Sequence, residues 1–334
     1  MPDRVNVGLK TQVLPAGEAA TAAAARVLAD GGLVGFPTET VYGLGADASN
    51  PAAVARLYRA KGRPSFNPLI THVVDLAAAR KIARFDAQAA RLAEAFWPGP
   101  LTLVLPKASG CAVADLATAG LDTVAIRIPA HPVAWEILNA FGGPVVAPSA
   151  NLSGHVSPTI AAHVHGDLTG RIDLIVDGGA VDVGVESTIV GCFAVPTLLR
   201  PGGLPREAIE RVLGRALAGV PQTTAGDTTA PLAPGMLVSH YAPRSKVRLE
   251  IERVEAGEAL LAFGPRTAPG AEAAVAAMNL SVRGDLAEAA ANLFGYLRSL
   301  DAKGACGIAV MPVPDHGLGE AINDRLRRAA IGRS

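Results

Sequence analysis

Short apolar runs alternate with amphipathic stretches along most of this 334-residue chain. The stretch 18–30 is alanine-rich and helix-prone, and Gly31-Gly32 stops it. Residues 33–36 predict a short buried strand, and 37–47 then read as a loop beyond its far end. Ser49-Asn50-Pro51 is a helix start, a capping residue followed by proline at the first helical position, and predicts a helix over 52–59. Residues 69–74 alternate enough for a strand that carries His72. An amphipathic stretch at 86–96 ends at Trp97-Pro98-Gly99-Pro100. The β-branched or apolar runs 101–105 and 123–128 read as strands, 131–141 as a helix, and 145–147 as a strand entering Pro148-Ser149-Ala150-Asn151. Further strands are predicted at 174–177 and 187–190. Such alternation predicts an α/β fold with a twisted, mixed sheet.

The pattern then lapses. Residues 219–234 are rich in Pro, Thr, Gly and Ala and have no periodicity, which is linker composition. The segment that follows, Gly235-Met236-Leu237-Val238-Ser239-His240-Tyr241-Ala242-Pro243, is too specific for a plain spacer. A second α/β pattern succeeds it, with strands at 247–251, 260–263 and 307–311 and helices at 286–300 and 318–330. The expected organisation is a first domain over 1–217, a linker over 218–245 that can act as a lid, and a small three-layer, Rossmann-like α/β domain over 246–334. No internal repeat makes the two domains copies.

Charge and cysteine usage narrow the functional classes. Thirty basic and thirty acidic side chains give a net charge of zero. That weighs against a broad electrostatic footprint for nucleic acid or anionic membrane, though not against a small basic pocket. Three cysteines, Cys111, Cys192 and Cys306, stand far apart with no C-x-x-C pair. A disulfide framework or thiolate zinc site is not expected, and a reducing, cytoplasmic setting is. No apolar h-region opens the chain and no uncharged apolar run is long enough to span a bilayer, so neither export nor a membrane span is expected.

Chemistry concentrates early. Arg56, Arg59, Lys61 and Arg63 fall within eight residues with no acid among them. A helix end attracts such charge without any ligand, but Lys61-Gly62-Arg63-Pro64-Ser65-Phe66-Asn67-Pro68 also suits an anion, above all a polyphosphate. Arg127, alone in an apolar strand, is expensive to bury unpaired and calls for a carboxylate, whether a substrate's or the protein's own. Ordinary phosphate motifs are missing: there is no P-loop, and Gly43-Leu44-Gly45-Ala46-Asp47-Ala48 fits a dinucleotide fingerprint only loosely. His163-Val164-His165 reads as a pair of surface histidines.

Four motifs in order, Phe36 to Gly45, Lys61 to Pro68, Pro148-Ser149-Ala150-Asn151-Leu152-Ser153-Gly154 and Glu186-Ser187-Thr188-Ile189-Val190, with Arg200-Pro201-Gly202 beyond, resemble the YrdC-like family of threonylcarbamoyl-AMP synthases. The linker and α/β tail resemble that family's longer, two-domain form. The resemblance implies a YrdC-like catalytic domain that joins L-threonine, bicarbonate or CO2 and ATP into threonylcarbamoyl-AMP and pyrophosphate. The product is the donor for modification of tRNA adenosine 37. Carried over residue by residue, Lys61, Arg63 and Asn67 meet ATP's phosphates, with Lys61 and Arg63 as the catalytic cations. Thr123, Ser149, Ser157, Arg200 and Tyr241 also contact ATP. Thr40, His72, Arg127, Ala147 and Ser187 hold L-threonine. Mg2+ is expected with ATP, with no dedicated protein site. A tRNA threonylcarbamoyl-transferase complex is the expected downstream partner, and direct RNA binding is expected to be weak or absent. The alternatives are an RNA-binding module and another YrdC-like carbamoyl-transfer enzyme.

Overall fold

A computed structural model describes residues 9–219 and 241–332. Eleven strands form one mixed sheet: β1 (Gln12–Pro15), β2 (Val34–Phe36), β3 (Gly43–Asp47), β4 (Ile70–His72), β5 (Leu101–Pro106), β6 (Thr123–Arg127), β7 (Val145–Val146), β8 (Leu174–Asp177), β9 (Thr188–Gly191), β10 (Thr197–Arg200) and β11 (Ala218–Gly219). Their order is β1-β8-β2-β3-β7-β4-β6-β5-β9-β10-β11. The helices are α1 (Glu18–Ala29), α2 (Pro51–Lys61), α3 (Leu76–Ile82), α4 (Ala87–Phe96), α5 (Pro132–Phe141), α6 (Ala161–Leu168) and α7 (Arg206–Leu213). Apolar side chains of α1 and α5 pack with Val34, Phe36, Val145, Leu174 and Val176, while those of α2, α4 and α6 join Leu44, Leu103 and Ile126 in a separate core. Alternate residues of one sheet thus serve two cores, as the period of two in a strand requires.

Local sequence explains the elements that build the site. Asn50 caps α2 by accepting from the Ala52 and Ala53 amides at 2.9 and 3.2 Å, with Pro51 at the first turn. The helix runs two residues past its expected end, so Lys61 sits on its last turn, and Gly62 closes it in a left-handed conformation. The expected loop over 37–47 is only partly a loop, because 43–47 form β3, antiparallel to β2. The misreading came from Gly43 and Gly45. A Cβ at Gly45 would stand 2.7 Å from the Phe36 ring, so the strand needs glycine to let that ring pack across it. Of the expected pair of surface histidines, both of which lie in α6, His165 is exposed and His163 is half-buried.

Beyond the linker expectation, most of which (220–240) lies outside the described residues, a second sheet is parallel throughout. It comprises β12 (Lys246–Arg248), β13 (Glu258–Ala262), β14 (Ala277–Asn279) and β15 (Gly307–Val310) in the order β12-β15-β13-β14. Its helices, α8 (Leu286–Asp301) and α9 (Leu318–Ala330), share one face, with Ala259, Leu261, Ile308 and Val310 beneath them. The opposite face, with Leu260 and Ala309, is covered by Ile251 and Val254, which precede β13, and by Ala268, which follows it, all outside regular strands and α-helices. The three expected layers are thus a helix layer, the parallel sheet and a layer of largely irregular chain. The α8–α9 core also takes in Val41, Val156 and Val185 of the first unit. Ion pairs Arg206–Glu320 at 2.6 Å and Arg298–Asp167 at 2.9 Å flank that shared core.

Candidate active site

A cavity of about 540 Å³, its open mouth included, is lined by residues from four of the sequence motifs and by Tyr241. Parallel pairing of β4 with β6 sets His72 directly beside Arg127, although 55 positions separate them in the chain. Arg127 is 3 % exposed. Its Nε donates to the Gly99 carbonyl at 3.2 Å and its Nη1 to Thr40 Oγ1 at 2.9 Å. Its Nη2 lies 2.7 Å from Glu39 Oε1, an ion pair whose approach is not aligned as a hydrogen bond. Arg127 thus has a protein carboxylate beside it and still carries Nη2 hydrogens without an aligned acceptor. Thr40 Oγ1 is also 2.9 Å from Thr38 Oγ1.

His72 Nδ1 is 3.3 Å from the Ile70 carbonyl, and the tautomer that satisfies this contact leaves the other ring nitrogen as an acceptor. Burial first, and Arg127 second, hold this imidazole down to about pKa 3, so it is neutral at physiological pH. Ala147 also lines the cavity; its amide is already given to Ile70 at 3.0 Å, which leaves its carbonyl side for any further contact. Ser187 Oγ sits 2.8 Å from Thr102 Oγ1 and 3.2 Å from Arg200 Nη2. Arg200 further donates from Nε and Nη2 to the Ser187 carbonyl.

The basic cluster divides. Arg56 pairs with Asp173 at 2.8 Å and Arg59 is exposed, so two of the four cations leave the site for ordinary structural reasons. Lys61 is 2 % exposed and gives its ammonium to the carbonyls of Ser149 and Asn151, bracing that turn from behind rather than lining the cavity. Burial, then Arg63, push its pKa well down. Arg63 does line the cavity, and its guanidinium also contacts the carbonyls of Asn67 and Pro68 at 3.4 and 3.0 Å. Asn67 is fully buried, and neither its amide oxygen nor its amide nitrogen has a hydrogen-bond partner in the protein. A neutral amide buried in that state is costly, which marks this loop as shaped for something besides folding. Ser149 lines the cavity.

Besides Lys61 and Asn67, two more expected residues are not in the cavity wall. Ser157 is buried and gives its hydroxyl to Glu186 Oε1 at 2.5 Å, so it reaches the cavity only through that carboxylate. Thr123 is at the start of β6, and the β4–β6 register carried two residues back sets it beside Pro68, next to Arg63's loop but not in the cavity wall. Sequence reasoning missed Glu39, Glu186 and Arg325. Arg325 is 0 % exposed on α9, and its Nε donates to Glu186 Oε2 at 2.9 Å. A signal existed: Arg325 falls on the same helical face as Ala321, Ile322, Leu326 and Ala329, a core position where an arginine needs a partner.

Glu186 is the sole carboxylate among the residues lining the cavity, and it is tied to Arg325 and Ser157. Among the described residues no cluster of three or more His, Cys, Asp or Glu is placed to hold a metal. These donors do not fit a divalent cation. Cys111, Cys192 and Cys306 are free thiols, and no helix of the described residues is long and apolar enough to cross a membrane.

The chain is similar to known proteins along most of its length. Residues 26–202 match the Sua5/YciO/YrdC model, described as telomere recombination, and 204–331 match the threonylcarbamoyl-AMP synthase C-terminal domain. The chain is 42 % identical to threonylcarbamoyl-AMP synthase of Bacillus subtilis, over 97 % of this chain and 96 % of the relative. It is 38 % identical to that of Schizosaccharomyces pombe, over 89 % and 84 %. The crystal structure of Pyrococcus abyssi Sua5 complexed with L-threonine superposes with a TM-score of 0.86 at 38 % identity, covering 96 % of this chain and 97 % of that one.

Proposed function

The chain belongs to the threonylcarbamoyl-AMP synthase family, and from that premise we propose that its cavity joins L-threonine, bicarbonate or CO2 and ATP for tRNA adenosine modification. The chain is a nucleotidyltransferase-type enzyme, like its full-length relatives. In the reaction the threonine amine and CO2 form a carbamate. A carbamate oxygen then bonds to the α-phosphorus as the bond to pyrophosphate breaks, so the adenylate and pyrophosphate leave with no change of oxidation state. Such a step asks the protein for positioning, charge neutralisation and exclusion of water more than for a covalent nucleophile.

The observation that carries the assignment of roles is the separation of two guanidinium centres by β4. At its entry Pro68 receives Arg63; at its end His72 faces Arg127. Arg127, with Thr40 and Ser187 nearby, receives the threonine carboxylate and hydroxyl. His72 and the Ala147 carbonyl offer acceptors for the amino group. Arg63 and Arg200, near enough to each other and to Tyr241 to interact electrostatically, neutralise the phosphates, with Asn67, Ser149 and Thr123 along that side. Lys61 gives its Nζ hydrogens to the Ser149 and Asn151 carbonyls and acts chiefly by holding Ser149 in place. Ser157 acts through Glu186. Mg2+ arrives with ATP and is liganded by phosphate and water, since the wall offers no free carboxylate. A cytoplasmic location and delivery of the product to a tRNA threonylcarbamoyl-transferase complex complete the proposal.

The test is pyrophosphate release from ATP with bicarbonate across the twenty amino acids. Release that requires threonine, with serine weak, is expected. Release indifferent to the amino acid, or none with any, overturns the reading and turns attention to salt-dependent RNA binding.

A further inference from the structure

Two arginines stand near a single buried carboxylate in the cavity wall. Glu186 is 6 % exposed and lines the cavity beside Arg200. Unpaired, such a carboxylate would repel the phosphates and draw Arg200 onto itself, because an uncompensated buried charge is strongly unfavourable. It is not unpaired, because Arg325 reaches it from the second unit. Arg325 Nε donates to Glu186 Oε2 at 2.9 Å, while Nη1 donates to the Pro201 carbonyl at 2.7 Å and to Asp324 at 2.9 Å. Burial alone would raise the Glu186 carboxyl, but Arg325 and then Arg200 outweigh it and hold it below its ordinary value. Arg200, relieved of the carboxylate, is bonded to the Ser187 carbonyl and hydroxyl.

The same guanidinium holds a second part of the wall. Its carbon lies 5.2 Å from the centroid of the Tyr241 ring, which also stacks on Phe294 of α8 at 5.5 Å and 25°. Tyr241 is thus clamped between residues of α8 and α9, in a left-handed backbone conformation at φ 62°.

We propose that Arg325 is a positioning residue for the nucleotide half of the site: by taking Glu186 and seating Tyr241, it leaves Arg200 for the phosphates and makes the second unit part of the ATP pocket. This rests on the assignment of that half of the cavity to ATP. The carboxylate that would oppose the phosphates is neutralised from outside the first unit, so docking of α9 and affinity for nucleotide are linked. The threonine half, built on Arg127, Thr40 and His72, has no hydrogen bond or ion pair to Arg325 among the described residues; it meets the nucleotide half at Ser187, which Arg200 holds, so threonine binding depends on Arg325 only indirectly.

The experiment uses the full chain with Arg325→Lys, which keeps a charge for Glu186 but loses the fork that also reaches Pro201. ATP affinity is measured by direct titration, and KM for ATP and for L-threonine by pyrophosphate release. Weakening of ATP binding by about tenfold, with threonine KM within about twofold, is expected for a lost ground-state contact on one substrate only. Arg206→Ala, which breaks the Arg206–Glu320 pair at the same interface away from the cavity, serves as the control and leaves ATP affinity unchanged. A purely structural role would lower the active fraction or the melting temperature of Arg325→Lys and leave both affinities as they were. That result, or equal losses for both substrates, overturns the proposal. If the wild-type chain binds ATP without threonine-dependent turnover, the functional reading fails while the link between Arg325 and ATP is still decided by the titration. If it binds no ATP, both fall.

Discussion

Arg127, which lines the cavity, meets Glu39 at 2.7 Å, both nearly excluded from solvent. The lone strand arginine therefore has an internal carboxylate, and the substrate carboxylate assigned to it must share the guanidinium with Glu39. Arg127 is also fixed by Gly99 and Thr40, so removing Glu39 leaves its orientation intact while stranding its charge. Glu39→Gln is expected to lower the melting temperature without ligand, because breaking a buried pair costs about 3–5 kcal/mol. Added L-threonine is expected to raise that temperature more in the variant than in the wild type. Equal threonine-induced shifts in thermal melts would show that the two carboxylates do not compete for Arg127.

Arg63 is the cation of the early cluster that lines the cavity, and among the described residues its side-chain hydrogen bonds go to two carbonyls of its own loop. Burial lowers its pKa to about 10, which leaves it charged at neutral pH. Arg63→Ala should give a folded protein whose turnover falls by about 10²–10³-fold, the scale for losing one donor to transition-state charge. Steady-state pyrophosphate release with a parallel melt checks this; turnover within a few-fold of wild type would remove Arg63 from the phosphate site.

Much of the architecture was legible because long amphipathic runs and a capped helix start leave strong marks: α2, α5, α8 and α9 all appear where the pattern put them. Short elements such as α3, α6 and β10 were not legible, since a few residues carry little periodicity and tertiary contacts decide them. In the site, residue types pointed to Arg63 and Arg127, while His72 was singled out only by the family resemblance; the partners of all three are set by the fold, which sequence spacing does not encode. Arg56 shows the converse: a cation in the cluster whose partner, Asp173, lies 117 positions away. Arg325 was readable as a charge on an apolar helix face, yet the carboxylate it meets lies 139 positions earlier in the chain.

Gly202 packs its Cα against the backbone of the residues that carry the site. A Cβ there would stand 2.3 Å from the Glu186 carbonyl oxygen and 2.4 Å from both the Ser187 carbonyl carbon and the Thr188 amide nitrogen. Backbone atoms cannot rotate away, so Gly202→Ala must displace Ser187, Arg200 or both. Overpacking of this kind costs about 1–3 kcal/mol, and turnover should fall further than the melting temperature alone accounts for. A variant with wild-type melting and turnover would mean the loop shifts freely and the close approach is incidental.

Acid sensitivity follows from histidines that fold neutral. His72 is held down to about pKa 3 and His163 to about 4, in each case first by burial and then by a neighbouring arginine, Arg127 and Arg298 respectively. Unfolded, each would bind a proton near pH 6.5. Between that value and the folded pKa the unfolded state binds more protons, so stability is present above pH 6.5 and declines as pH falls toward 4. The slope is at most about 1.4 kcal/mol per pH unit for each fully buried site. Asp167 does not blur this window: burial would raise it, but His155 and Arg298 draw it down to about 2, so its contribution is lost only below the ordinary carboxylate range. Urea denaturation at pH 7.5, 6.0 and 5.0 should show falling midpoints. His163→Gln, whose side chain can still accept from the Thr159 amide as the imidazole does at 3.3 Å, should flatten the decline by part of one proton's slope. A midpoint that stays level from pH 7.5 to 5.0 in the wild type would mean that these imidazoles gain protons in the folded state.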